Sequence, residues 1–342
     1  MKILITGGCG FVGSNIAVFL KKRLKKSKIF SLDNLTRKGS LLNRNRLKKL
    51  SIKNFNYDIE NFNKLKSLPK FNLIIDCCAE PAIEASRKDP NRVFNTNLIG
   101  TFNILKKCIK DRSNLIFLSS SRVYSIDSLK KLVSKQIIRN PIKIKKTIDE
   151  NFDTSAASSL YGFTKLASEK LIKEMFYQNK LKYIINRFGV ISGPWQFGKQ
   201  DQGFVSMWVA NHLFKKKLSY VGFGGYGHQV RDILHIEDAC KIILLQISKF
   251  SKINNITFNI GGEKKNTISL KSLTQKVQEI TGNRIKIRRI PKTSVFDIPY
   301  FITNNRKIKK FYKWKPSKSI DQILKDIYIW LRHNKVIIKY FK

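Results

Sequence analysis

Tyr161 and Lys165 stand four residues apart in Ser159-Leu160-Tyr161-Gly162-Phe163-Thr164-Lys165, opening an amphipathic run over residues 161–177. On a helix this spacing puts phenol and ammonium on one face, within mutual reach. A free tyrosine titrates at about 10 and is a poor base at neutral pH, but a neighbouring ammonium favours its phenolate. Such a pair can take the proton of a hydroxyl as hydride leaves the adjacent carbon. Ser121 follows an apolar run at 115–119 and is suited to hydrogen-bond the same oxygen. Alone, Tyr-x-x-x-Lys describes many solvated helix faces, so the pair gains meaning only from a hydride acceptor nearby.

The first residues supply that context. Ile3-Leu4-Ile5-Thr6 reads as a buried strand that breaks into Gly7, Gly10 and Gly13 before an amphipathic pattern begins. Gly7 suits the turn, Gly10 lets backbone approach a pyrophosphate, and Gly13 lets helix and strand pack closely. The helix start offers unpaired N–H groups and a positive dipole to phosphate. A second apolar strand ends in Phe30-Ser31-Leu32-Asp33, about 20 residues on, where an acidic side chain reaches a ribose. Asp33 points to NAD over NADP, because its charge repels a 2′-phosphate; Arg37 and Lys38 follow closely and keep the alternative open.

Strand-like runs at 3–6, 29–32, 55–57, 73–76, 115–119 and 183–186 alternate with helical patterns such as 97–109 and 161–177. That alternation predicts an α/β fold, a doubly wound parallel sheet with helices on both faces. Ligands of such sheets sit beyond the carboxyl ends of the strands, where Asp33, Asp58, Ala79-Glu80 and residues 119–121 fall. From about residue 193 the chain turns to loops rich in Gly, Gln and aromatics. We therefore read residues 1–190 as a dinucleotide-binding domain with return segments at about 233–262. Residues 191–232 and 263–342 form a smaller substrate-binding lobe, with 320–333 as a closing helix.

The 342 residues are 42% hydrophobic, as expected of a globular chain. No apolar stretch approaches the ~20 residues of a membrane span, and the first strand begins at Lys2, so we expect a cytoplasmic protein without a membrane partner. Cys9, Cys77, Cys78, Cys108 and Cys240 lack metal-type spacing and read as reduced core thiols. The net charge of +44 would suit nucleic acid or another polyanion. The bases are spread along the whole chain, however, and Lys, Ile, Asn and Phe are all abundant, as AT-rich codons would produce. No specific nucleic-acid partner is expected.

Residues 6–13, Asp33-Asn34-Leu35, Asp58-Ile59, Asn97-Leu98-Ile99-Gly100-Thr101, Ser119-Ser120-Ser121-x-Val123-Tyr124, 161–165 and Arg231-Asp232-x-x-His235-x-x-Asp238 complete the picture. In that order, over nearly the whole chain, they resemble the extended short-chain dehydrogenases/reductases that act on nucleotide sugars. The resemblance implies a Rossmann domain binding NAD through Gly7, Gly10, Phe11, Val12, Gly13, Asp33 and Asn34. It adds Asp58 and Ile59 beside the adenine, then Ala79, Asn97, Tyr161 and Lys165. It implies catalysis by Ser121, Tyr161 and Lys165, no metal, and a homodimer. Substrate contacts are expected from Arg122, Gln200, Asp201, Gln202 and Arg231, with Arg231 on the diphosphate.

Residues 196–205 and 224–232, with the long insert between Ser121 and Tyr161, are similar to the family's CDP-sugar 2-epimerase branch, which serves lipopolysaccharide and polysaccharide biosynthesis. This implies a CDP- or UDP-sugar substrate, inverted at one carbon through a transient ketone; 4-epimerisation of a UDP-sugar or simple reduction are the alternatives, and the intact Ser121, Tyr161 and Lys165 argue against a non-catalytic NAD-binding protein. Three departures from the family pattern are Cys77-Cys78-Ala79-Glu80, Ser125 and Leu160. The family's 4,6-dehydratases need an Asp-Glu pair just after the hydroxyl residue, and here Arg122 and Val123 stand there.

Overall fold

The computed structural model describes residues 1–81, 87–132, 146–198 and 202–341. The chain begins β1 (Lys2–Thr6), α1 (Phe11–Arg23), β2 (Lys28–Leu32), α2 (Ser40–Lys48), β3 (Lys53–Phe55), α3 (Phe62–Lys66) and β4 (Leu73–Asp76). It continues with α4 (Pro90–Phe94), a π turn (Asn95–Ile99), α5 (Gly100–Asp111), β5 (Asn114–Ser120), a 3-10 turn (Ser121–Val123), α6 (Ile126–Lys131), α7 (Leu160–Gln178) and β6 (Tyr183–Phe188). Then come β7 (Val190–Ser192), α8 (Phe204–Leu213), β8 (Leu218–Val221), β9 (Val230–His235), α9 (Ile236–Ser248) and β10 (Ile256–Ile260). The last elements are β11 (Thr267–Ser269), α10 (Leu270–Thr281), β12 (Ile287–Ile290), β13 (Tyr300–Phe301), α11 (Arg306–Tyr312) and α12 (Ile320–His333).

Two compact units share these elements. The first gathers Met1–Val123, Ser159–Arg187 and Cys240–Phe258; the second gathers Tyr124–Ser158, Phe188–Ala239 and Asn259–Lys342. Of residues 124–158, grouped above with the dinucleotide-binding half, the described ones cluster with the second unit.

A seven-stranded sheet ordered β10-β6-β5-β4-β1-β2-β3 organises the first unit. β1 pairs in parallel with both β2 and β4, so the strand order reverses at β1, as in a doubly wound fold. β4 and β6 are buried along their whole length, as expected of parallel strands covered on both faces. α5 and α7 pack together on one face, where Ile104, Leu105, Ile172 and Phe176 join Leu4, Ile74 and Phe117 in the core. α1 and α2 pack together as well.

Two sequence readings move. The run at 55–57 is a strand over Lys53–Phe55 instead, because β3 pairs only with β2 and Leu32↔Phe55 is the last pair. Asp58 thus lies in the loop beyond the strand. The helix expected over 97–109 is divided into the π turn at Asn95–Ile99 and the regular helix from Gly100.

In the second unit β9 pairs antiparallel with β11 and parallel with β7 and β13, while β8 and β12 form a separate parallel pair. α8, α10 and α12 pack on one another. α12 coincides with the segment 320–333 and buries Ile320, Ile323, Leu324, Ile327, Trp330 and Leu331 at helical spacing. Among the described residues no helix is long and apolar enough to cross a membrane, and all five cysteines are free thiols.

One buried ion pair closes the floor of the first unit. Lys107 on α5 lies 2.7 Å from Asp111 and donates to the carbonyls of Leu68 and Pro69 at 3.1 Å. Asp111 also accepts the Phe71 N–H. Lys107→Met would leave a buried carboxylate without its cation, and should cost about 3–5 kcal/mol. Urea denaturation measures this; a parent-like midpoint would show that the pair contributes nothing.

Candidate functional site

The turn after β1 is shaped by contact distances that leave no room for side chains. Gly7 takes φ +57°, and Gly10 N–H donates to Gly7 O at 2.9 Å. A Cβ at Gly13 would sit 2.3 Å from Gly7 O, so only glycine lets α1 start this close to the strand. The helix begins at Phe11 with no side-chain cap and no acidic residue in its first turn. Its first N–H groups, those of Phe11, Val12 and Gly13, have no partner within the helix and present the positive end of the dipole. A dinucleotide's pyrophosphate fits this cradle.

Asp33 lies just past β2, its own N–H bonded to Phe55 O. Its carboxylate accepts the backbone N–H of Cys9 at 3.0 Å and of Leu35 at 2.8 Å. The acid expected to meet a ribose is therefore clamped onto the glycine turn itself. Burial raises this carboxyl above the ordinary aspartate value, against the lowering effect of the backbone hydrogen bonds. Burial likewise pushes the Cys9 thiol up to about 12, leaving it inert. Asp58 accepts from Asn34 at 2.6 Å and from Glu60 N–H at 2.9 Å, while Ile59 is buried.

The end of β4 sits against the same turn, since a Cβ on Gly7 would be 3.0 Å from Cys77 O and Cys78 Cα. Ala79 follows, half-buried. Asn97, fully buried in the π turn, grips this strap from both sides: Glu80 N–H donates to it at 2.8 Å, and it donates to Glu80 O at 3.1 Å. It also donates to Thr164 on α7 at 3.2 Å. Short π segments often mark functional sites. The Glu80 side chain pairs with Arg92 at 3.1 Å.

α7 carries the proposed chemistry. Ser159 caps it by accepting Gly162 N–H at 3.0 Å. Tyr161 is nearly buried, and Lys165 is 2% exposed. The Lys165 ammonium donates to Cys78 O at 3.4 Å and lies 4.4 Å from the centre of the Phe117 ring. The 3-10 turn that starts at Ser121 packs against α7, which gathers Ser121, Tyr161 and Lys165 in one unit with the glycine turn. Arg122 is half-buried in that turn, its N–H on Ser120 Oγ at 3.2 Å.

The remaining expected substrate contacts belong to the second unit. Arg231 on β9 donates to Ile298 O at 2.7 Å and Val230 O at 2.8 Å, and pairs with Asp297 at 3.4 Å. Gln202 is half-buried; Gln200 and Asp201 lie outside the described residues. Sequence reasoning placed Ser119 at the strand end but gave no role to Thr164 or Glu169. Ser119 and Glu169 are buried and joined by a hydrogen bond. A carboxylate recurring four residues after Lys165 was the available signal.

The model of the NAD dependent epimerase/dehydratase family matches residues 3–261. CDP-paratose 2-epimerase of Salmonella typhi is 29% identical over 340 residues, covering 96% of this chain and 99% of that protein. UDP-glucuronate 4-epimerase of Thermodesulfobacterium geofontis is 25% identical over 349 residues, covering 99% and 98%. Among solved structures, UDP-glucose 4-epimerase with UDP-glucose from Thermotoga maritima matches with a TM-score of 0.82 at 26% identity, covering 98% of this chain and all of that one.

Asp33→Asn should relax the preference for NAD over NADP by about tenfold, or ~1.4 kcal/mol. The sign with pH follows from the carboxylate: protonation removes the charge that repels a 2′-phosphate, so discrimination should fade as pH falls. Because burial raises this group, fading should begin at a higher pH than a solvent-exposed aspartate allows. Titrating both cofactors in mildly alkaline and mildly acidic buffer checks both statements, and equal NADP affinity in the parent chain would refute the role of Asp33.

Proposed function

Because this chain belongs to the NAD-dependent epimerase/dehydratase family, we propose that it inverts one carbon of a nucleotide-linked sugar, with a CDP-deoxy-sugar such as CDP-paratose as substrate and carbon 2 as the reacting centre. One observation carries the reading. The buried Lys165 ammonium reaches the carbonyl of Cys78, on the strand end that packs against the Gly7 turn, so the Tyr161 helix and the dinucleotide cradle meet. NAD, when bound, supplies the acceptor and later the donor of a hydride.

The chain's own part is to hold the sugar and move one proton. Tyr161 Oη takes that proton from the hydroxyl on the reacting carbon, and Ser121 hydrogen-bonds the same oxygen. Lys165 stands one turn further along the same face of α7, its ammonium buried beside the Cys78 carbonyl. Once the carbon is a ketone, it is planar, and the sugar presents its other face before Tyr161 returns the proton. For Arg231 to take the substrate diphosphate, its guanidinium must exchange the Ile298 carbonyl and Asp297 for phosphate oxygens. Elimination of water is disfavoured because Arg122 and Val123 stand where a dehydratase needs its acid and base. The full-length similarity to 4-epimerases of UDP-sugars supports carbon 4 as the second reading.

The test is a panel of CDP-paratose, UDP-glucose and UDP-glucuronate. An isomer of unchanged mass should form without added NADH, and deuterium on the inverted carbon should stay mostly in the product. Wholesale exchange with solvent would mean proton abstraction beside a carbonyl and would end the oxidation reading; net NADH consumption would make the chain a reductase. Tyr161→Phe should abolish turnover, by at least about 100-fold, with NAD binding nearly intact. Full activity in that variant would remove Tyr161 from the chemistry.

A further inference from the structure

We infer that Glu169 is a positioning residue for the reaction: by holding Ser119 and Arg187 at once, it fixes α7 in the one placement that brings Tyr161 and Lys165 to Ser121. The inference deepens the function proposed above and rests on it. Glu169 follows Lys165 by four residues and Tyr161 by eight, so all three lie along one stripe of α7. Its side chain is 1% exposed. Ser119 Oγ donates to Oε1 at 2.5 Å, and Arg187 Nε donates to Oε1 at 2.9 Å and to Oε2 at 3.1 Å. Arg187 Nη2 closes the fork on Oε2 at 2.6 Å. Ser119 stands on β5 two residues before Ser121, and Arg187 stands on β6. A single carboxylate thus joins the helix of the base to the strand that delivers the hydroxyl.

Stability does not account for this cluster. A buried ion pair gains little or nothing over apolar side chains of the same volume. α7 is already anchored in the core by Ile172 and Phe176. Apolar contacts carry no direction, however, and leave a helix free to rotate or slide slightly. A forked guanidinium–carboxylate contact with a third donor fixes both motions. The helix advances 1.5 Å per residue, and a misplacement of ~1 Å at reacting atoms costs about 100-fold in rate. The cluster therefore acts on the geometry of Tyr161 and Lys165 rather than on folding.

The experiment separates these roles. Glu169→Met combined with Arg187→Met removes both charges together and leaves no unpaired buried ion, while Ser119→Ala removes one anchor alone. With whichever sugar nucleotide of the panel the parent turns over, the double variant should unfold at or above the parent temperature and keep its NAD. Its KM should stay within about twofold while kcat falls about 10- to 100-fold. Ser119→Ala should show the same split at several-fold. A folded, NAD-loaded double variant with parental kcat overturns the inference. Should the double variant fail to fold, parental kcat in Ser119→Ala overturns it. Tyr161→Phe, run alongside, distinguishes the failures: full activity there removes the proposed function and this role with it, whereas loss there beside a parent-like double variant removes only the role of Glu169.

Discussion

The candidate site depends on how closely the end of β1 approaches the end of β4. Thr6 and Asp76 are the last paired residues of the two strands, and their side chains are bonded to each other at 2.5 Å. Beyond that lock the Gly7 turn and the Cys77-Cys78 backbone touch without an intervening side chain. The strand order reverses at this point, so the chain opens a crevice there instead of continuing the sheet. Asp33 is fastened to one lip through Cys9, while Lys165 and Asn97 reach the other through Cys78 and Glu80. A wider gap would part the acid on one lip from the lysine and asparagine on the other.

The buried cations of the first unit differ in how they are compensated. Lys107 has Asp111, and Arg187 has Glu169, each pair enclosed and hydrogen-bonded. Lys165 is as buried as either, yet among the described residues it meets a carbonyl and an aromatic face, with no carboxylate paired to it. Leaving a buried ammonium with so little compensation is costly, and folding alone gives no reason for it. The function proposed above, with Tyr161 four residues away as the proton acceptor, supplies one.

Much of this was legible in the residues. The runs at 73–76 and 320–333 coincide with β4 and α12, because one is uniformly apolar and the other keeps helical spacing. The glycine turn and the Tyr161–Lys165 spacing are local, so pattern alone could place them. What escaped was relational. The end of β3 is set by how far β2 extends, which no feature of residues 55–57 records. The π turn arises where Asn97 reaches both the Glu80 backbone and Thr164, two partners distant in the chain. Asp33 could be identified as an acid at a strand end, but not as one clamped by the turn it serves. Glu169 looked like any helix glutamate until β5 and β6 supplied its partners.

The path of the chain between its units also governs how the protein can be made. The nucleotide-binding unit is interrupted twice, and its sheet is finished only by β10, at residues 256–260 of 342. A nascent chain therefore carries β1 to β6, most of the apolar surface of that sheet, well before the last strand leaves the ribosome. Until then β6 is an open edge, able to pair with another chain. Cutting the gene at any single point would strand one unit without a segment it needs, so the two units are bound to be inherited, synthesised and degraded as one.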